Sequence, residues 1–183
     1  MALFSPRPVH SDTYPLEEFY ALRGQPAPVM ERIEAAEVPE PWQSLLVHQT
    51  DMTSTLEDFY KEQLHTEVLT RHMVENEYFR EVALVLNGSG KRVEFGAIKI
   101  MLDLFPIEAR QEILREQQPL GRILAVFGIS FASRPRAFLR MAPDDFVRRA
   151  LNLKEPRCLH GRRNTLVDAW ERPLAEIVEI LPP

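Results

Sequence analysis

Residues 77–102 read EYFREVALVLNGSGKRVEFGAIKIML. Two apolar-rich runs, Glu77 to Leu86 and Arg92 to Leu102, flank Asn87-Gly88-Ser89-Gly90. Asn-Gly followed by a second glycine supplies the positive φ angles of a tight connection, so the stretch predicts a β-hairpin. An antiparallel pair is therefore the seed of the fold.

Working outward, Thr66 to Val74 is a strand candidate just before the hairpin. Ahead of it, Met52, Leu56, Phe59, Tyr60 and Leu64 fall at three- and four-residue steps, predicting an amphipathic helix from Met52 to Gln63 with Asp51 or Thr53 as N-cap. Beyond the hairpin, Phe105-Pro106 opens a helix to about Gln117, with Ile107, Arg110, Ile113 and Leu114 on one face. Pro119-Leu120-Gly121 starts a short helical turn, and Ala137 to Met141 is a further strand. Pro143-Asp144-Asp145 begins a helix to about Leu151, with acids where the helix dipole favours them. Arg157 to Trp170 and Leu174 to Leu181 read as two closing strands. About six strands without regular βαβ alternation predict an α+β fold, an antiparallel sheet with helices on one face.

Seven of the 15 prolines lie in the first 41 residues, so residues 1–41 are expected to form a largely irregular arm before a domain over 42–183. Two short helices are expected in the arm, Leu16 to Arg23 and Val29 to Glu37, covering the core without forming it. A chain of 183 residues with 45% hydrophobic and 27% charged residues suits one globular domain. A net charge of -5 argues against a general nucleic-acid binder, since affinity for phosphates needs excess Lys and Arg. A single cysteine, Cys158, excludes an intrachain disulfide and is expected to be a small buried hydrophobe. The lack of a charged-then-apolar leader, and of any run long enough to cross a bilayer, predicts a cytoplasmic protein without membrane insertion. Scattered histidines predict no metal site, and phosphate loops and the Gly-x-Ser-x-Gly elbow are absent.

Arg80 shares a strand face with Val82, Leu84 and Leu86. A guanidinium among aliphatics needs an anion, either an inward acid such as Glu179 or the carboxylate of a ligand. Glu179 in turn shares a face with Ala175, Ile177 and Leu181, whereas Glu176 lies on the opposite row; a one-residue slip exchanges them. Arg162 and Arg163, in Gly161-Arg162-Arg163-Asn164, are either surface cations or a second anion contact. Asp51-Met52-Thr53-Ser54-Thr55 is helix-entrance chemistry, usually structural but able to present N–H groups to an anion.

Taken in order, Asp51-Met52-Thr53, Tyr78-Phe79-Arg80-Glu81-Val82, Pro119-Leu120-Gly121-Arg122-Ile123-Leu124, Gly161-Arg162-Arg163, and Pro173-Leu174 through Glu179-Ile180-Leu181-Pro182 resemble the chorismate lyase (chorismate pyruvate-lyase, 4-hydroxybenzoate synthase) family. The resemblance spans residues 51 to 182 and implies a six-stranded antiparallel sheet with a ligand enclosed beneath helical flaps. It implies that Arg80 and the backbone N–H of Leu120 bind the ring carboxylate, that Glu179 and the backbone at Met52 meet the 4-hydroxyl, and that Glu179 rather than Glu176 is the site acid. Arg162 or Arg163 would then hold the enolpyruvyl carboxylate. The implied reaction converts chorismate to 4-hydroxybenzoate and pyruvate without a cofactor, driven by aromatisation of the ring. Effector domains of some transcription regulators resemble the same scaffold and bind small molecules, so a non-catalytic domain for an aromatic carboxylate is the alternative. Such sensors come with DNA-binding modules, and the first 41 residues are too proline-broken for a helix-turn-helix, which favours the enzyme. A third possibility, an interaction protein with Arg80 and Glu179 paired internally, predicts no deep pocket.

Overall fold

The computed structural model describes residues 11–183. The hairpin forms as expected: β3 (Glu77–Leu86) and β4 (Arg92–Met101) pair antiparallel around the Arg80↔Ile98 and Val82↔Gly96 registers. Gly90, at φ 67, supplies the left-handed residue of the connection, and its N–H donates to the Leu86 carbonyl at 2.9 Å.

Around this hairpin an all-antiparallel sheet of seven strands is ordered β1-β5-β6-β7-β4-β3-β2. The others are β1 (Met30–Ile33), β2 (Leu64–Val74), β5 (Ala132–Met141), β6 (Leu159–Val167) and β7 (Pro173–Leu181). The seventh strand, absent from the six expected, is β1, where the spacing of Val29, Ile33 and Ala36 had predicted a helix over Val29 to Glu37. Met30–Ile33 instead pairs with Phe138–Met141 of β5, and only Ala35–Glu37 turns helically. A four-residue segment after Pro28 carries too little periodicity to choose a state, and the open edge of β5 chooses it.

Helices pack on both faces of the sheet, not on one. On one face α1 (Leu16–Leu22) and α6 (Asp145–Ala150) bury Leu16, Phe19, Tyr20 and Val147 against Phe95, Ala97 and Val178. Thus α1 is core rather than cover. It is fastened by Arg23 to the fully buried Glu81 at 2.6 Å and by the Tyr20 hydroxyl, which donates to Asp144 at 2.6 Å. On the other face lie α2 (Trp42–Leu46), α3 (Met52–Tyr60), α4 (Ile107–Arg115) and α5 (Leu120–Val126). Their apolar residues form two clusters, one around Ile98, Ile113, Leu124 and Ile177 and one around Leu46, Leu56, Leu84 and Val93.

Helix α3 is capped by Asp51, whose side chain accepts from the Ser54 N–H at 2.9 Å. It stops at Tyr60, short of the expected Gln63, because Leu64 already opens β2. In α4 the buried residues are Ala109 and Ile113, while Ile107 and Leu114, expected inward, are exposed. Cys158 is exposed as well, in the turn before β6, and so is not the buried hydrophobe expected.

At the β6–β7 crossing, Gly161 faces Ile180, and a Cβ there would run into the carbonyl oxygen of Glu179. Backbone cannot yield as a side-chain tip does. Gly161→Ala is expected to cost about 1–3 kcal/mol, read as a lower urea midpoint at unchanged m-value; wild-type stability would refute the close approach.

Candidate functional site

The alternation of the central strands presents an ordered grid to the α3/α5 side. One row across β3, β4, β7 and β6 is Arg80, Ile98, Ile177 and Asn164. The next is Val82, Gly96, Glu179 and Arg162. In the third, Leu84 of β3 is flanked by Thr66 of β2 and Glu94 of β4. Rows lie two residues apart, about 6.7 Å, and strands about 4.8 Å apart, so Arg80 stands at one corner and the acids at the far end.

A cavity of about 60 Å³ lies on this grid. The N-terminal turns of α3 and α5 roof it through Asp51, Met52, Thr53, Leu120 and Gly121. The two turns approach so closely at Gly121 that a Cβ there would lie 2.8 Å from the Thr53 hydroxyl. Gly96 has the same use in the floor, where a Cβ would stand 3.1 Å from Glu94 Oε1 and 3.3 Å from Val82.

Of the residues singled out in the sequence, Arg80, Glu179, Met52 and Leu120 line this cavity. Arg80 is 2% exposed, and its Nε and one Nη find no hydrogen-bond partner among the described residues. Burial lowers its pKa, against which the neighbouring Tyr78 and Glu116 act. Glu116, however, is bonded to Tyr78 and to Arg71, not to Arg80. The internal Arg80–Glu179 pair weighed above does not form.

Glu179 is instead ion-paired to Arg162, its direct neighbour across β6–β7. Arg162 is wholly buried and also donates to the carbonyls of Leu46 at 3.1 Å, His48 at 3.2 Å and Thr50 at 3.4 Å. It holds Glu179 and the link between α2 and α3 in place rather than lining the cavity. Arg163, one residue on, faces the opposite side of the sheet, bonded to Glu176 at 2.9 Å and to the Tyr14 carbonyl at 3.3 Å. The register places Glu179, not Glu176, on the cavity side.

Two polar lining residues, Glu94 and Thr66, are not among the expected site residues, and Asn164, noted only as part of the Gly161–Asn164 cluster, joins them. Of nine buried side-chain atoms without a partner among the described residues, five belong to Arg80, Thr66, Glu94 and Asn164, so unmet hydrogen bonds gather at this one cavity. The available signal was the alternation in Arg92 to Leu102, which puts Glu94 on one face with Gly96 and Ile98. Burial pushes the Glu94 carboxyl well above its ordinary pKa of 4.5, and the nearby Glu179 charge adds to this against the opposing effect of Arg162.

Above pH 4.5 an unfolded chain releases the Glu94 proton that the folded chain keeps, so stability falls as pH rises toward the folded-state pKa. Glu94→Gln is expected to flatten that part of the stability–pH curve, measured by urea unfolding from pH 4.5 upward; parallel curves would place the titration elsewhere.

The antiparallel sheet with helices packed on it defines the fold: this is the chorismate lyase-like α+β fold. Among solved structures the chain is similar to PhnF from Mycobacterium smegmatis, with a TM-score of 0.57 at 12% identity over 74% of this chain and 65% of that one. The effector domain of PhnF gives 0.54 at 11% identity over 72% and 88% of the two chains. A possible transcriptional regulator, YydK from Bacillus subtilis, gives 0.51 at 10% identity over 69% and 59%. The chain thus spans less than two thirds of PhnF and of YydK. No protein-family model and no curated protein matches the sequence. Among the described residues no cluster of His, Cys, Asp and Glu could hold a metal ion, and no helix is long and apolar enough to cross a membrane.

Proposed function

We propose that the protein is a small-molecule-binding domain whose cavity takes an aromatic monocarboxylate, carboxylate on Arg80 and hydroxyl-bearing edge toward Glu179. The observation that carries this is Arg80, a fully buried cation whose Nε and Nη donors await an acceptor at the cavity wall. A planar fork pairs with a carboxylate through two parallel hydrogen bonds, and an uncompensated buried charge is otherwise a cost of several kcal/mol. The fold likeness to the effector domain of PhnF and to the possible regulator YydK supports binding as the role.

The charge count favours a single carboxylate. Arg80 is the one basic side chain among the described lining residues, whereas Asp51 and Glu179 are acids. Chorismate carries a second carboxylate, and the arginines expected to receive it are engaged with Glu179 and Glu176.

The lyase reaction is the second reading, supported by the meeting of Arg80, Glu179, Met52 and Leu120 at one cavity. In that reading the C4 hydrogen and the enolpyruvyl ether leave the ring, Arg80 anchors the ring carboxylate, and Glu179 orients the hydroxyl. One experiment separates the two: calorimetric titration with benzoate and 4-hydroxybenzoate, beside incubation with chorismate and no added cofactor. Saturable binding without pyruvate release is expected for the binding domain. Equimolar pyruvate and 4-hydroxybenzoate would assign the lyase, and no response to any of the three would overturn both.

A further inference from the structure

The far end of the cavity holds more polar groups than one hydroxyl can satisfy. Glu179 lines it with one oxygen committed to Arg162. Glu94, 4% exposed, sits diagonally across the β4–β7 pair, because Gly96 rather than Glu94 is directly opposite Glu179. Diagonal neighbours stand about 7–8 Å apart at the backbone, within reach of long side chains. The Glu94 carboxyl also leans back over the glycine, with Oε1 3.1 Å from the place a Gly96 Cβ would occupy. Among the described residues its Oε2 has no partner, nor does the Thr66 hydroxyl in the same row.

A ligand with one hydroxyl at this end serves Glu179 and leaves Glu94 unmet, and a buried polar atom left unsatisfied costs about 1–3 kcal/mol. We infer that Glu94 is a specificity-determining residue, and that the cavity selects an aromatic monocarboxylate with two adjacent hydroxyls opposite its carboxylate, one for Glu179 and one for Glu94. This rests on the binding role proposed above and narrows its ligand. The raised pKa of Glu94 agrees with it, since a carboxyl that keeps its proton both donates to and accepts from a hydroxyl.

The test is calorimetric titration of the full chain with 3,4-dihydroxybenzoate, 4-hydroxybenzoate and benzoate, in the wild type, Glu94→Leu and Glu94→Gln, each variant first checked for a cooperative unfolding transition. The wild type is expected to bind the dihydroxy acid about tenfold more tightly than the monohydroxy acid, one hydrogen bond's worth. Glu94→Leu is expected to bring that ratio toward one. Glu94→Gln, which keeps a donor and an acceptor in the same shape, is expected to retain the preference. A wild-type ratio of one or below, or a preference that survives Glu94→Leu, overturns the role of Glu94 while leaving carboxylate binding intact. Failure of all three acids to bind the wild type overturns the binding role and this inference with it.

Discussion

Arg80→Met is expected to abolish recognition of carboxylates and at the same time to raise the midpoint of thermal unfolding. The guanidinium is desolvated, its Nε and one Nη are unbonded among the described residues, and its wall is made of Val82, Leu84 and Ile98. Folding therefore buries a cation for which the described residues provide no bonded anion. Methionine approximates the length of the arginine stem and removes the charge, and replacing buried ionic groups with apolar ones of similar volume is often stabilising by about 1–4 kcal/mol. For a chain of this size each kcal/mol moves the midpoint by about 2–4 °C. Ligand affinity moves the other way: truncating one partner of a buried charge-assisted pair costs about 2–5 kcal/mol, which is about 30-fold or more in Kd. Calorimetry with 4-hydroxybenzoate and a thermal melt of the free protein read the two effects separately. A variant that lost stability would mean that Arg80 holds the fold together, and the case for a ligand-directed cation would fall with it.

The same substitution one strand row away is expected to do the opposite. Arg162→Met should destabilise the free protein by about 3–5 kcal/mol, because it strands a buried carboxylate. Glu179 would lose its cation, and the carbonyls of Leu46, His48 and Thr50 would lose their shared donor. Those carbonyls belong to the end of α2 and to the link that follows it to α3, so the wall of the cavity beside Met52 and Thr53 should loosen as well. Urea unfolding followed by far-UV circular dichroism gives the magnitude. If Arg162→Met matched the wild type, the Arg162–Glu179 pair would carry no structural weight. The contrast between two fully buried arginines on one sheet face separates a cation that serves the fold from one kept for a ligand.

Much of this was legible in the chain. The hairpin over 77–102, the capped helix from Met52, and the strands ending in Met141 and Leu181 follow from local periodicity and turn chemistry, which act over a few residues, whereas the strand expected over Arg157 to Trp170 is shorter, Leu159–Val167. The membership of Arg80, Glu179, Met52 and Leu120 in one cavity followed from resemblance, not from spacing. Alternation placed Arg80 and Glu179 on apolar faces of two strands but left their partner open. The strand order β7-β4-β3 settles it by putting β4 between them, with Glu179 beside Arg162 instead. Glu94 was overlooked because an acid in an alternating strand reads equally as outward and solvated, until burial of both sheet faces is known.

Local sequence was enough for the antiparallel α+β class, for a hairpin turn over Asn87–Gly90 and for helices opening near Asp51 and Asp144, since each depends on neighbours close in the chain. Tertiary structure alone decided that Met30–Ile33 is a strand, that α1 and α6 cover the second face, and which buried arginine is paired. The physical reason is range. Backbone propensity is spent within one turn or one pleat, whereas the pairing of a buried charge and the state of a weakly patterned segment are set by groups more than 100 residues away, as Leu46 is from Arg162 and Met141 from Met30.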